Sequence, residues 1–132
     1  MLKKYILILV VFISSGIFAQ NVEFDKDNFK DDKDGLKSAK DNIKSGDEEY
    51  LKGPVFYKEA LKYYENAQEF NPNNAMLNYK LGNCYLSSIY QFKALAPLEK
   101  ALKLDPNIDP AIHFALGQAY HMNLDWDKAI TE

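Results

Sequence analysis

The 132 residues contain no arginine, so sixteen lysines carry all the side-chain positive charge against 19 aspartates and glutamates. Only guanidinium offers the planar fork that clamps carboxylates and phosphates with two parallel hydrogen bonds. Its absence weighs against nucleic-acid or phosphate recognition, and no glycine-rich phosphate loop is present either. A single cysteine, Cys84, rules out an internal disulfide framework. It has no histidine near it in sequence to serve as a base, and it reads as a small buried hydrophobe. The two histidines, His113 and His121, stand eight residues apart, whereas metal-binding pairs on helices prefer a spacing of four. No second pair or cysteine completes a tetrahedral metal site. Long apolar runs are also lacking. The stretch Ile6–Ile13 falls short of the roughly 20 residues a membrane span needs. Carboxylates are scattered and interleaved with lysines, as on solvated helix faces. These gaps leave no catalytic residue, no cofactor and no metal to assign, and the chain reads as a non-enzyme of one-domain length.

What is present is helical periodicity. Between Ala75 and Pro106 two patterns lie side by side. Leu77, Leu81, Cys84, Tyr85 and Ser88 recur at steps of three and four, and so do Ala94, Leu98, Ala101 and Leu102. Each set falls on one face of a helix. Gly82 sits inside the first pattern, at a cost of about 1 kcal/mol relative to alanine, which points to a backbone that another helix approaches closely. Pro106 ends the second pattern, because the residue before proline avoids the α region.

The pattern repeats. Pro72 lies 34 residues before Pro106, and Ala60, Tyr64 and Ala67 precede it as Ala94, Leu98 and Ala101 precede Pro106. Leu116-Gly117 and Tyr120 follow Leu81-Gly82 and Tyr85 at an offset of 35, as Ala129 follows Ala94. A fixed period of this size marks stacked supersecondary units. With a Leu-Gly pair, a tyrosine three residues on, small residues around a large one in the second helix and a closing proline, the chain resembles the tetratricopeptide repeat family. Leu98 stands where that family more often has an aromatic, and Asn78 where it usually has tryptophan. The resemblance implies an all-α, helix-turn-helix solenoid of about two and a half repeats, running roughly over 28–73, 74–108 and an incomplete 109–132.

Taken in order, residues 1–19 read as a cleaved signal peptide. Lys3 and Lys4 precede the apolar run, Ser14-Ser15-Gly16 breaks it, and Ala19 offers the cleavage position. Removal leaves 14 lysines against 19 acids, a formal charge of −5, which suits a soluble acidic domain better than one that binds anionic membranes. Residues 20–27 are rich in Asp, Lys and Asn and read as a flexible leader. Asn28 is a candidate N-cap, after which Phe29, Leu36, Ala39 and Ile43 form a thin apolar stripe, as in a terminal capping repeat. Gly46 is expected to end that helix, Ser45–Gly53 to form a turn, and Pro54 to take the first position of the next helix. Pro110 opens the fifth helix. The last, from Trp126, stops short of its second small residue and closing proline, so the natural chain is expected to continue beyond Glu132.

In the family resembled, the first helices of successive repeats line a concave groove that holds partner peptides. Carried over, the groove would present Tyr79, Asn83 and Leu86 from the central repeat and Phe114, Gln118 and His121 from the third. Tyr79 replaces the lysine that a carboxylate clamp would need. Aromatic and amide groups suit an extended or helical segment with apolar anchors instead, unless further residues of the chain fill the groove and these side chains are ordinary packing. The mature chain also resembles the N-terminal part of bacterial proteins that place a few such repeats before a WD40-like propeller and an OmpA-like peptidoglycan-binding domain, some of them in gliding and type IX secretion machinery. That likeness implies an exported, periplasmic interaction scaffold with a protein or peptide partner, on the periplasmic side of the envelope. The rival expectation is a structural spacer that orients a downstream anchoring domain.

Overall fold

The structure, a computed structural model, describes residues 20–132; the expected signal peptide lies outside the described residues. Six α-helices and their turns make up the described chain, without strands. They are α1 (Lys33–Tyr50), α2 (Tyr57–Phe70), α3 (Ala75–Leu86), α4 (Leu95–Leu104), α5 (Ala111–Met122) and α6 (Trp126–Thr131). Helices pack in sequential pairs, α1 on α2, α3 on α4 and α5 on α6, and the pairs stack through α2 on α3 and α4 on α5. The chain is an all-α solenoid of helix hairpins.

Local sequence explains the boundaries. Asn74 caps α3 by accepting the Leu77 N–H at 2.9 Å. Asn71 and Asp105, each before a proline, adopt extended backbone and end α2 and α4 alike. Ala60, Tyr64 and Ala67 of α2 are fully buried, as are Ala94, Leu98 and Ala101 of the second hairpin. Apolar contact is divided between two clusters. One joins α2 to α3 around Tyr64, Leu81 and Cys84, and the other joins α3 and α4 to α5 around Leu98, Ile112 and Leu116.

The first hairpin departs from expectation. Asp32, not Asn28, caps α1, accepting the Gly35 N–H at 2.8 Å, while Asn28 spends its amide on the Glu23 carbonyl and the Asp25 carboxylate. Gly46 does not end the helix. It lies buried inside α1, which runs on to Tyr50. A Cβ on Gly46 would stand 2.6 Å from Tyr64 Cε1, just as one on Gly82 would stand 2.5 Å from Leu98 Cγ. Gly46 is therefore the close-approach glycine of the first hairpin, at the place of Gly82 and Gly117. Pro54 begins a 3-10 turn, Pro54–Phe56, and the α-helix starts only at Tyr57. Ser88 falls beyond the end of α3.

The segment read as a leader is hydrogen-bonded to the α2–α3 corner. The Val22 N–H donates to the Asn73 carbonyl at 2.8 Å, and the Val22 carbonyl accepts from the side-chain amides of Asn71 and Asn74. Phe24, Phe29 and Phe70 form an aromatic cluster beneath it, with 4.7 Å between the Phe29 and Phe70 ring centroids.

Candidate functional site

Superposing the three glycines gives the register of the first helices. Ile43, Asp47 and Tyr50 of α1 stand as Tyr79, Asn83 and Leu86 of α3 and as Phe114, Gln118 and His121 of α5. The six residues expected from sequence thus fall into two registered sets of three, and the structure gives those sets different roles.

The central set is turned inward. Tyr79 and Leu86 are half-buried and packed against the cluster shared with α4 and α5. Asn83 donates its side-chain N–H to the Tyr50 hydroxyl at 3.2 Å. The third set faces outward. Phe114 is 71 % exposed, and Gln118 and His121 are exposed as well. With Gly117, Ala129 and Ile130 they line an open groove of about 550 Å³ between α5 and α6. At its rim His113 Nδ1 lies 2.7 Å from Glu132 Oε2, an ion pair whenever the imidazole is protonated.

Sequence reasoning missed the α1 set because it took Gly46 for a helix end. Asp47 accepts the Tyr64 hydroxyl at 2.6 Å and the Lys80 ammonium at 2.7 Å, joining α1, α2 and α3 at one carboxylate. Tyr50 stacks flat on Tyr57, with ring centroids 4.4 Å apart. A second open groove of about 610 Å³ is lined by Phe24, Ile43, Asp47, Leu51 and Met76. The one available signal was the spacing of Gly46 from Gly82, 36 residues against the 35 that separate Gly82 from Gly117.

Tyrosines recur at the seams between hairpins. The Tyr85 hydroxyl donates to Glu65 at 2.7 Å, and the Tyr120 hydroxyl donates to Glu99 at 2.7 Å. Each bond ties the first helix of one hairpin to the second helix of the hairpin before it. Burial, reinforced by the neighbouring carboxylates, holds these phenols and that of Tyr64 well above their ordinary value. Tyr50 is raised chiefly by burial. Burial also pushes the Cys84 thiol up to about 12 against an opposing pull from Lys80. A thiol so placed stays protonated at neutral pH and is a poor nucleophile.

Asn78, fully buried at the position where sequence comparison expects tryptophan, satisfies its polar atoms locally. Its amide donates to the carbonyls of Pro72 and Asn74 at 2.9 and 2.8 Å, and its carbonyl accepts from Gln68 at 3.0 Å. Among the described residues, no three or more His, Cys, Asp or Glu side chains are grouped to hold a metal ion. No described helix is long and apolar enough to cross a membrane.

Residues 98–131 match the family model of a tetratricopeptide repeat. The match starts within α4, takes in α5 and reaches the end of α6. No curated protein matches the chain. The matched segment and the three registered hairpins together support a tetratricopeptide-repeat protein. Repeats of this kind are typically non-catalytic and suggest a protein–protein interaction scaffold.

Proposed function

We propose that this chain is an exported interaction scaffold that holds a partner protein or peptide in the groove beside α5. The observation that carries the reading is the open groove of about 550 Å³ at α5 and α6, where Phe114, Gln118 and His121 gather. An exposed aromatic, an amide and an imidazole on one helix face give an apolar anchor flanked by hydrogen-bonding groups. That combination fits an extended or helical segment better than a small polar substrate. Export to the bacterial cell envelope is supported by the lysine-led apolar stretch of residues 1–19 with small residues at its end. The envelope setting is consistent with the likeness to repeat proteins that precede OmpA-like domains, among them type IX secretion components.

A second reading is favoured by the central set. Tyr79 and Leu86 are committed to packing and Asn83 to Tyr50, as in a spacer whose helices serve to orient an anchoring domain. Photocrosslinking separates the two. A photoreactive residue at Phe114 or Gln118 should capture a defined envelope protein, one at the outward-facing Lys62 should not, and Phe114→Ala should abolish the capture. Equal labelling from both faces would eliminate the groove. N-terminal sequencing of the secreted form should begin at Gln20, and an unprocessed Met1 terminus would eliminate export by cleavage.

A further inference from the structure

The turns inside the hairpins carry an apolar edge that packing does not explain. Leu51, Val55 and Ile89 are 84 to 86 % exposed, and Phe92 is 59 % exposed. Single exposed apolar residues are ordinary, but these lie together. The α1–α2 and α3–α4 turns enclose a cleft of about 600 Å³ walled by Pro54, Val55, Leu61, Ile89 and Tyr90. The α5–α6 turn adjoins it through Asn123, which reaches the Phe92 carbonyl at 3.4 Å. This edge is separate from the face that bears Phe114 and Gln118.

Charge indicates what the cleft takes. Lys58 is the charged residue in its wall. Lys93 stands beside it, its ammonium 5.0 Å from the centre of the Tyr90 ring. Lys52, over Phe56, closes the far side and is paired with Glu49. No acidic side chain lines the cleft, although acids outnumber lysines over the whole chain. We infer that this turn-side cleft docks an acidic peptide segment of a partner, one that seats an apolar side chain between Val55 and Ile89 and sets a carboxylate against Lys58. Concavity favours such a segment over a lipid surface, and the net negative charge of the chain disfavours anionic membranes.

The test uses a short fluorescein-labelled peptide of alternating leucine and glutamate, and its leucine–lysine counterpart, with binding read by fluorescence anisotropy on the full secreted chain. The acidic peptide should bind and the basic one should not. Ile89→Asp and Lys58→Glu should each weaken binding by about tenfold or more, and the Lys58 effect should shrink at high salt. Both side chains are exposed, so circular dichroism melting should be unchanged. Phe114→Ala should leave the affinity as it is, which separates this cleft from the groove beside α5. The inference is overturned by any of several results: no binding of the acidic peptide, equal binding of the basic one, or loss of binding only with Phe114→Ala. Capture by phosphatidylcholine–phosphatidylglycerol vesicles in place of the peptide would also overturn it, as would self-association in sedimentation that Ile89→Asp abolishes.

Discussion

Substituting Gly46 tests whether the first hairpin is built like the others. In an exposed helix interior, Gly→Ala stabilises by about 1 kcal/mol through propensity. Here the new Cβ would stand 2.6 Å from Tyr64 Cε1 and 2.8 Å from Cδ1, well inside ordinary contact. The ring has nowhere to withdraw. Tyr64 is fully buried, its hydroxyl is held by Asp47, and Tyr50 meets it edge-on with 6.1 Å between centroids. Overpacking a confined site costs about 1–3 kcal/mol, and this confinement favours the upper end. Net of the propensity gain, Gly46→Ala should destabilise by about 2 kcal/mol, a fall in Tm of roughly 6–10 °C for a domain of this size.

A double-mutant cycle isolates the cause. In a Tyr64→Val background the ring atoms are gone, so Gly46→Ala should become neutral or mildly stabilising. The resulting coupling should be about 2 kcal/mol, within the range of contacting pairs. The measurement is urea or thermal unfolding followed by circular dichroism. If Gly46→Ala raised Tm on its own, Gly46 would be an unconstrained helix glycine, and placing it beside Gly82 and Gly117 would be wrong.

Two further outcomes follow from buried groups. Cys84 should resist iodoacetamide in the native protein at pH 8 and react fully in denaturant, because its thiol is fully buried and held near 12; rapid native labelling would mean that the α2–α3 core opens locally. Stability should also fall with rising pH in the alkaline range. The raised phenols of Tyr50, Tyr64, Tyr85 and Tyr120 keep their protons in the native state, whereas in the unfolded chain tyrosine ionises near pH 10 and cysteine near 8.5, so above these values the unfolded state binds fewer protons. Each fully buried group then lowers stability by up to about 1.4 kcal/mol per pH unit, and a Tm unchanged between pH 9 and 11 would refute the assignment.

The second and third hairpins were legible because their signals are local. A glycine in an apolar helix stripe, small residues around a large one and a proline after an extended residue each have a single physical reading, and they recur in phase. The first hairpin hid its register. Ser45-Gly46-Asp47 has the composition of a turn, and its glycine is explained only by a ring 18 residues away, Tyr64. The connection from α1 to α2 is longer by two residues than the one from α3 to α4, counted from glycine to large residue, so the period was blurred at this point. Capping failed for a similar reason. Asn28 and Asp32 are both competent caps, and the choice depends on where Phe29 docks against Phe70, a contact across 41 residues. The groove residues were placed on the correct helices, but whether a side chain faces solvent or a neighbouring hairpin depends on the stacking angle, and no single-repeat pattern encodes that angle.

Stacked hairpins contact only their neighbours, so chemistry along the inner face can change from one end to the other without disturbing the fold. Asp47, Asn83 and Gln118 occupy one register and illustrate the change. Asp47 is committed twice over, to Tyr64 and Lys80. Asn83 is committed once, to Tyr50. Gln118 lies exposed beside Phe114 in the α5 groove. The same order runs through Tyr50, stacked on Tyr57, and Leu86, half-buried, to His121, exposed. A register whose polar groups are already satisfied has little to offer a ligand, since binding there would first break internal hydrogen bonds worth about 1 kcal/mol each or more. Capacity to bind on this face therefore concentrates at α5, and the first two hairpins act as the rigid support that sets its position.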